Sequence, residues 1–561
     1  MDIFVNPNKT LSHMLVKSIQ FKIILLSIIP IVMACNSKQK VDLLVTNAKI
    51  YSVDSDFSVH QSMAIHLGKV VALGTNDEID NQFVGKEEID LNGKPVYPGF
   101  IDPHAHFLGY GLGLRNAWLA GAKSWKEVVD RLVEHHTNYP TEWVLGRGWN
   151  QTEWDIKEFP TKDLLDKVFP NNPVLLTRID GHAAIANSKA LEMAGFNPDT
   201  IIAGGDIIKQ KGLLTGVLID NVINLVRSLI PEYTQAEKEE ALLNAQSNCF
   251  AVGLTSVNDA GLNLTDVLLI DRMHKDNKLE MRVNVMLSPT EENFEHFLSN
   301  GVYSTPSITV RTVKLFADGA LGSRGALLLE PYSDAPTTHG LQLETRDYLT
   351  EVCQKAYDAG YQVAIHCIGD AAVRLVLDVY EQFLVADNDL RWRIEHAQTV
   401  HPDDMPRFGH MAVVPSIQTT HATSDMIWAA HRLGSRIKTA YPYQELLQQN
   451  GWLPNGSDFP IEHINPLYGF YAGVIRKNMD GFPPNGFQME NALTREQALR
   501  AMTIWAAKAA FEENIKGSLE PGKLADFVVL EEDLMEAQDE VLPNILVKRT
   551  FVNGKVVYLK P

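Results

Sequence analysis

Pro98-Gly99-Phe100-Ile101-Asp102-Pro103-His104-Ala105-His106 is the stretch from which the rest of the chain can be read. It begins as an apolar strand and ends in two histidines at i and i+2. Side chains alternate along a strand, so this spacing turns both imidazoles to one face, where two neutral nitrogens can reach one metal ion. Taken alone, a His-x-His pair is often incidental. Later segments have the same form: Ile365-His366-Cys367 and Ile394-Glu395-His396 each put a histidine directly after a short apolar strand, and Asn455-Gly456-Ser457-Asp458 puts a carboxylate after another. In a (β/α)8 barrel the active site is built at the C-terminal rim of the strands, so residues distant in sequence converge there. A single histidine at such a position reads as a hydrogen-bonded core residue. Four histidines and an aspartate are hard to assign to packing.

The flanking pattern agrees. From about Pro95 to Glu513, strands alternate with amphipathic helices, as in right-handed βαβ units around a parallel sheet. Strand candidates are Thr255 to Val257, Thr309 to Leu315, Val363 to Ile365, Trp392 to Ile394, Met411 to Pro415 and Gly451 to Leu453. Ser124-x-x-Glu127, Thr234-x-x-Glu237 and Thr494-x-x-Gln497 read as capping boxes that start helices. A barrel needs about 250 residues, so insertions are expected, the longest between His106 and Thr255. Val41 to Lys94 and Ala525 to Tyr558 are instead β-rich, and Asn553-Gly554 is a tight-hairpin signal. The expected fold class is α/β: a (β/α)8 TIM-like barrel over residues 96–513, inserted around 107–254, with a small β-sandwich domain formed by the N- and C-terminal segments 36–95 and 514–561.

Composition is that of a globular chain: 561 residues, 45% hydrophobic and 21% charged, with a formal charge of −19. That charge argues against nucleic-acid binding, which relies on clustered cations. The four cysteines, Cys35, Cys249, Cys353 and Cys367, form no close pairs, so no disulfide framework is expected. Residues 1–35 read as an export signal: Lys9, Lys17 and Lys22 precede an apolar run from Ile23 to Ala34. The run is too short to span about 30 Å of hydrocarbon. Val32-Met33-Ala34-Cys35 resembles a lipobox, which makes Cys35 the lipidation site and Asn36 to Lys40 a tether at the membrane of a bacterial cell envelope. A cleaved signal with unmodified Cys35 and a start at Met14 both stay open. So does the oligomeric state, a homodimer among the options.

Across almost the whole mature length the chain resembles the amidohydrolase superfamily, in particular the branch similar to N-substituted formamide deformylase. The matching stretches are Pro98 to His106, Gly146 to Asn150, Arg178 to His182, Val313 to Arg324, Ala364 to Asp370, Arg393 to Gln398, Gly456 to Phe459, and Gly517 to Phe527. The resemblance implies that His104 and His106 bind one metal with Asp458, that His366 and His396 bind a second, and that Lys314 bridges them as an N-carboxylated carbamate. A one-metal site without the carbamate is the alternative. Burial lowers a lysine's pKa and makes that chemistry feasible. Imidazole and carboxylate ligands suit Zn, with Fe, Mn and Co left open. Metal-activated hydroxide would attack a carbonyl, with Asp458 as general base and then general acid.

Further candidates come from the same stretches. Arg324 reads as a substrate-binding residue or a salt-bridge partner, and His182 and Asp180 as pocket lining from the insertion. Trp149 reads as an aromatic wall or a core residue, and Glu395 as a structural residue on the face opposite His396. Gly109, Gly111 and Gly113 do not make a nucleotide loop, because Leu114 occupies the position of the third glycine. The expected function is hydrolysis of a non-peptide carbon–nitrogen bond, amide or formamide-like, in a small-molecule substrate. A ligand-binding envelope lipoprotein without turnover, and an esterase or isomerase on the same metal site, are the alternatives.

Overall fold

The computed structural model describes residues 38–560; the signal segment and Cys35 lie outside them. At the centre is a sheet of parallel strands in the order Phe100–Ala105, Leu254–Leu262, Arg282–Leu287, Ile308–Phe316, Gln362–Cys367, Arg393–His396 and Val414–Ser416. Between the last and the first runs the chain around Asn455. It makes a single parallel bridge to Ile417, while Asp458 N–H donates to His104 O at 2.8 Å and His106 N–H to Phe459 O at 2.9 Å. The result is a nearly closed barrel sheet.

The segment expected to be a strand at Gly451 to Leu453 is thus reduced to one bridge a few residues later. Two features of the sequence account for this. Pro454 has no N–H to give to a ladder, and Gly456 passes so close to the first strand that a Cβ there would fall 2.5 Å from Asp102 Oδ1. Asp102 fastens the seam: its carboxylate accepts from Ser457 Oγ at 2.6 Å and from His104 N at 3.1 Å.

Helices cover the outside of the barrel. Thr234 with Glu237 and Thr494 with Gln497 form complete capping boxes. Ser124 caps Glu127 N, but the Glu127 side chain takes Lys123 N–H instead of closing the reciprocal bond, so that box is half made. Apolar side chains of the strands and helices merge into one large core that includes Phe100, Val257, Val285, Val313, Ile365, Ile394 and Trp392. Among the described residues no helix is long and apolar enough to cross a membrane.

The interval between the first two barrel strands carries its own mixed sheet, in the order Gly205–Gln210, Leu213–Asp220, Ala183–Ala186, Val174–Arg178, Val144–Trp149 and Ala117–Trp118. Its core holds Trp149, Trp154, Leu176 and Ile185. The turn from Ile179 to His182 joins two of these strands.

The chain ends meet in one sheet, where Phe527–Leu530 pairs antiparallel with Pro95–Pro98 and with Val547–Val552. A second sheet, built from Gln39–Thr46, Ser62–His66, Lys69–Gly74 and Phe83–Asp90, shares an apolar layer with it through Val45, Met63, Ile65, Val96, Phe527 and Phe551. The Asn553-Gly554 turn has positive φ at both residues, 51° and 71°, as a tight hairpin of that type requires. Arg282, on a barrel strand, ties the terminal sheet down: its Nη2 donates to Asp526 Oδ1 at 2.9 Å and to Asn553 Oδ1 at 2.7 Å.

Candidate metal centre

Ladder register decides which side chains share the inside of the barrel. Lys314 lies opposite Ala364, Ala364 opposite Arg393, and His366 opposite both Phe316 and Glu395. Partners across a ladder point to the same face, so Lys314, His366, Arg393 and Glu395 all turn inward. Glu395 is therefore inside the barrel, which corrects its expected place on an outer face. His396 leaves strand geometry altogether, with φ at +73°, and Asp458 does likewise at +58°. Non-glycine residues in that region carry strain of about 1–3 kcal/mol and are held there by their surroundings. Here the effect is to bring His396 and Asp458 over the rim towards His104 and His106.

Ligand atoms of His104, His106 and Asp458 lie within 4.8 Å of one another, and so do those of His396, His421 and Asp458. The ring orientations are fixed from behind. His104 Nδ1 meets the Glu395 carboxylate, and His106 Nδ1 lies 3.2 Å from Ala260 O. His396 Nδ1 lies 2.7 Å from Gln418 Oε1, and His421 Nδ1 3.1 Å from Glu462 Oε1. Each partner is an oxygen acceptor, so Nδ1 carries the hydrogen in each case. In a neutral ring this leaves the Nε2 lone pair facing forward, the arrangement that orients metal-binding histidines. His106 Nε2 is 3.2 Å and His104 Nε2 3.5 Å from Asp458 Oδ1. That oxygen is buried and accepts no hydrogen bond among the described residues. Two imidazole lone pairs and a carboxylate oxygen converging with no proton donor among them fit a bound cation. Desolvation alone would disfavour them.

His366 lies beside the cluster, outside both groups of convergent ligand atoms. Its Nε2 is 3.5 Å from Gly319 O and 3.7 Å from Asp318 Oδ1, and its ring centroid is 4.5 Å from that of His396. Burial above all, with the crowding of ionisable neighbours such as Lys314, holds both His366 and His396 well below the usual histidine range. Burial and Lys314 push His104 down to about 4. All three are therefore neutral and competent to bind metal. His421 behaves oppositely. Burial works against its charge, but the neighbouring Asp458 and Glu462 carboxylates prevail and push it up to about 10. Burial also disfavours an ionised Asp458, yet His104, His106 and His421 hold it well below the carboxylate range.

Lys314 sits 1% exposed on its strand, and its Nζ makes no hydrogen bond among the described residues. Burial lowers its pKa to about 8, although Glu395 and Asp458 pull the other way. An orphaned buried amine beside the cluster is what a carbamate-forming lysine presents before carbon dioxide adds to it. Behind it, Arg393 Nε is 2.5 Å from Glu395 Oε1, and Arg393 Nη2 donates to Pro103 O and Ser416 Oγ at 2.7 and 2.9 Å. Arg393 thus fixes the carboxylate that fixes His104. Asp259 does similar work for His106: it accepts Phe107 N–H and Leu108 N–H at 2.9 and 3.1 Å, anchoring the helix that starts there.

A cleft of about 690 Å³ opens over this rim, lined by His104, His106, Lys314, His366, His396 and Asp458 together with Arg147, Asp180 and His182 from the insertion. An adjoining lobe of about 540 Å³ adds Trp118, His421, Asp425, Trp428 and Glu462. Asp180 and His182 are brought to the site, with His182 Nδ1 2.7 Å from Asp220 Oδ1. Arg324 lines neither lobe; it pairs with Asp334 at 3.0 Å, a carboxylate it shares with Arg432. Trp149 does not reach the cleft either: it is fully buried, with Nε1 donating to Leu176 O at 2.8 Å. His421 is the site residue that sequence reasoning passed over. It lies in the helix Thr419–Asp425, away from a strand end. Its available signal was the run Pro415-Ser416-Ile417-Gln418 leading into it from the seventh strand.

Three comparisons set this geometry among known proteins. The model of the amidohydrolase family matches residues 87–558. Protein LONG AFTER FAR-RED 3 of Arabidopsis thaliana is 36% identical, over 92% of this chain and 91% of the plant protein. N-substituted formamide deformylase of Arthrobacter pascens is 28% identical, over 92% of this chain and 98% of the enzyme. Among solved structures, an uncharacterized metal-dependent hydrolase from Pyrococcus horikoshii superposes with a TM-score of 0.72 at 30% identity, covering 89% of this chain and 99% of that one.

Proposed function

Because the chain belongs to the amidohydrolase family, we propose that it is a metal-dependent hydrolase of a non-peptide carbon–nitrogen bond, an amide or formamide-like bond in a small molecule. The observation that carries this reading is the set of imidazoles locked at Nδ1 by oxygen acceptors and turned onto Asp458. Similarity to a formamide deformylase supports the choice of bond.

His104, His106 and Asp458 would hold one divalent metal, probed first as Zn. His366 and His396, with the carbamate form of Lys314, would hold a second. A metal there supplies Lewis acidity, lowering the pKa of water toward about 7 and polarising a carbonyl. Asp458, kept ionised by its histidine neighbours, accepts the proton of the attacking water. It then returns that proton to the leaving nitrogen, which departs poorly as an anion. His421 and Glu462, behind Asp458 Oδ2, keep the carboxylate in its accepting form and orientation. Arg393 and Glu395 keep the His104 tautomer fixed through the cycle. The test is turnover of N-formylbenzylamine by the metal-loaded protein and by Asp458→Asn. Release of benzylamine that the variant abolishes supports the reading; no turnover of formamides, amides or ureas removes it.

Three organisational readings go with this one. We take the barrel as a (β/α)8 unit whose eighth strand is the Asn455 bridge, and residues 36–95 with 514–561 as one β-sandwich domain, supported by the sheet the two ends share. We also propose anchorage at the cell envelope through a lipid on Cys35, resting on the lipobox-like sequence. Labelling with a radioactive fatty acid, lost in Cys35→Ser, tests it.

A further inference from the structure

Two arginines face the cleft without counter-charges. Arg147, on the strand Val144–Trp149, donates Nη2 to Ile179 O at 3.2 Å, and its Nε is buried with no partner. Arg227, in the last turn of the helix Asn221–Arg227, opens onto the same lobe, and its one side-chain contact is Nη2 to Thr177 Oγ1 at 3.3 Å. Neither has a carboxylate within salt-bridge distance among the described residues. Their neighbour Arg178 shows what a structural arginine looks like here. It is spent on Gln151 at 2.8 Å, Asn150 at 2.7 Å and Asp180 at 2.6 Å.

The carboxylates around the lobe do not supply the missing charge. Asp180 is taken by Arg178, and Asp266 is held by Lys238 at 2.6 Å. Glu232 borders the lobe without pairing to either arginine. Enclosure by the cleft walls, and then the charge of Arg147, pushes Arg227 down to about 10, so the two guanidinium groups repel each other. Like charges left together in a cleft are relieved by a bound anion, and a guanidinium fork matches a carboxylate in two parallel hydrogen bonds.

We propose that Arg147 and Arg227 form a binding site for an anionic group of the substrate, a carboxylate in the simplest case, in the cleft that the metal-ligating cluster also lines. This rests on the hydrolase reading and narrows it: the compound cleaved is an acylated amine that also carries an acid. Arg147 lines both lobes and feels the charge of Asp458, so the acid lies near the scissile bond rather than at the end of a long chain.

Binding can be read without turnover, which separates failure of this site from failure of the hydrolase reading. Benzoate and its neutral isostere benzamide are titrated calorimetrically into the metal-loaded protein, Arg147→Gln, Arg227→Gln and Arg147→Lys. The expected result is benzoate binding at least about tenfold tighter than benzamide, the scale of one charge-assisted hydrogen bond. Each glutamine variant should move that ratio toward one, with partial recovery in Arg147→Lys. Equal binding of the two probes overturns the proposal. So does a preference that both glutamine variants retain, which would place benzoate on the metals alone. Should Arg147→Gln not fold, Arg227→Gln, at the cleft opening, decides by itself.

Discussion

Glu395 meets Nδ1 of His104 inside the barrel, with side-chain exposures of 0% and 1%. A carboxylate so deeply buried survives as an anion because it faces Arg393 and the Nδ1–H of His104: burial raises its pKa, and the Arg393 charge with the His104 contact outweighs it. The arrangement Arg393–Glu395–His104 therefore continues to the Nε2 that points at Asp458. Charge and tautomer are set before any metal arrives.

Glu395→Gln keeps the shape and removes the charge, so the His104 ring loses the partner that fixes its tautomer. Partners of this kind contribute about 10–100-fold to metal affinity. Competition with a chromophoric chelator should show that loss for the more tightly bound metal; unchanged affinity would mean Glu395 serves packing alone.

His366 and His421 should separate in their effects. His366 is neutral and lies beside His396, whereas His421 is cationic in the metal-free protein and paired with Glu462. His366→Ala should lower the metal content by about one ion if two are bound. His421→Asn should keep the metal content and lower kcat about 10²–10⁴-fold, the range for a group assisting proton transfer. Loss of metal from His421→Asn would instead make it a ligand of the His396 and Asp458 group.

Reconstitution of the metal-free protein in bicarbonate should accelerate as pH rises through about 8, the value to which burial brings Lys314. Only the neutral amine attacks carbon dioxide. Its fraction at pH 8 is about one half here, against roughly 0.4% for an ordinary lysine. The sign is fixed by that requirement: low pH protonates Lys314 and slows uptake. A rate independent of bicarbonate across this range would remove the carbamate.

Asp526→Asn should destabilise the fold by about 3–5 kcal/mol in urea unfolding, because it leaves Arg282 buried and unpaired. The loss should be structural: metal content per folded chain should not change, since Asp526 is outside both metal-ligating groups.

Residues that stand at strand ends were legible in the sequence because a strand's face and terminus both show in its apolar pattern. That pattern places His104, His106, His366 and His396 at the barrel rim, and Lys314 enters through its matching stretch; all five line one cleft. What escaped depends on contacts between distant segments. His421 sits on a helix, so its approach to Asp458 follows from how that helix packs, not from strand periodicity. Glu395 was assigned outward by alternation against His396, whose positive φ breaks the alternation. Arg324 and Trp149 were offered to the cleft, but Asp334 and Leu176 O claim them, and nothing local to either residue announces those partners.

The central claim is a metal centre held by His104, His106 and Asp458 and by His366, His396 and Lys314. Its most direct test is the metal content of purified Asn36 to Pro561 by inductively coupled plasma mass spectrometry, beside Lys314→Ala and Asp458→Ala. Close to two metals per chain are expected, with fewer in Lys314→Ala and in Asp458→Ala, each of which removes a ligand of the proposed centre. No tightly held metal under any reconstitution would contradict it.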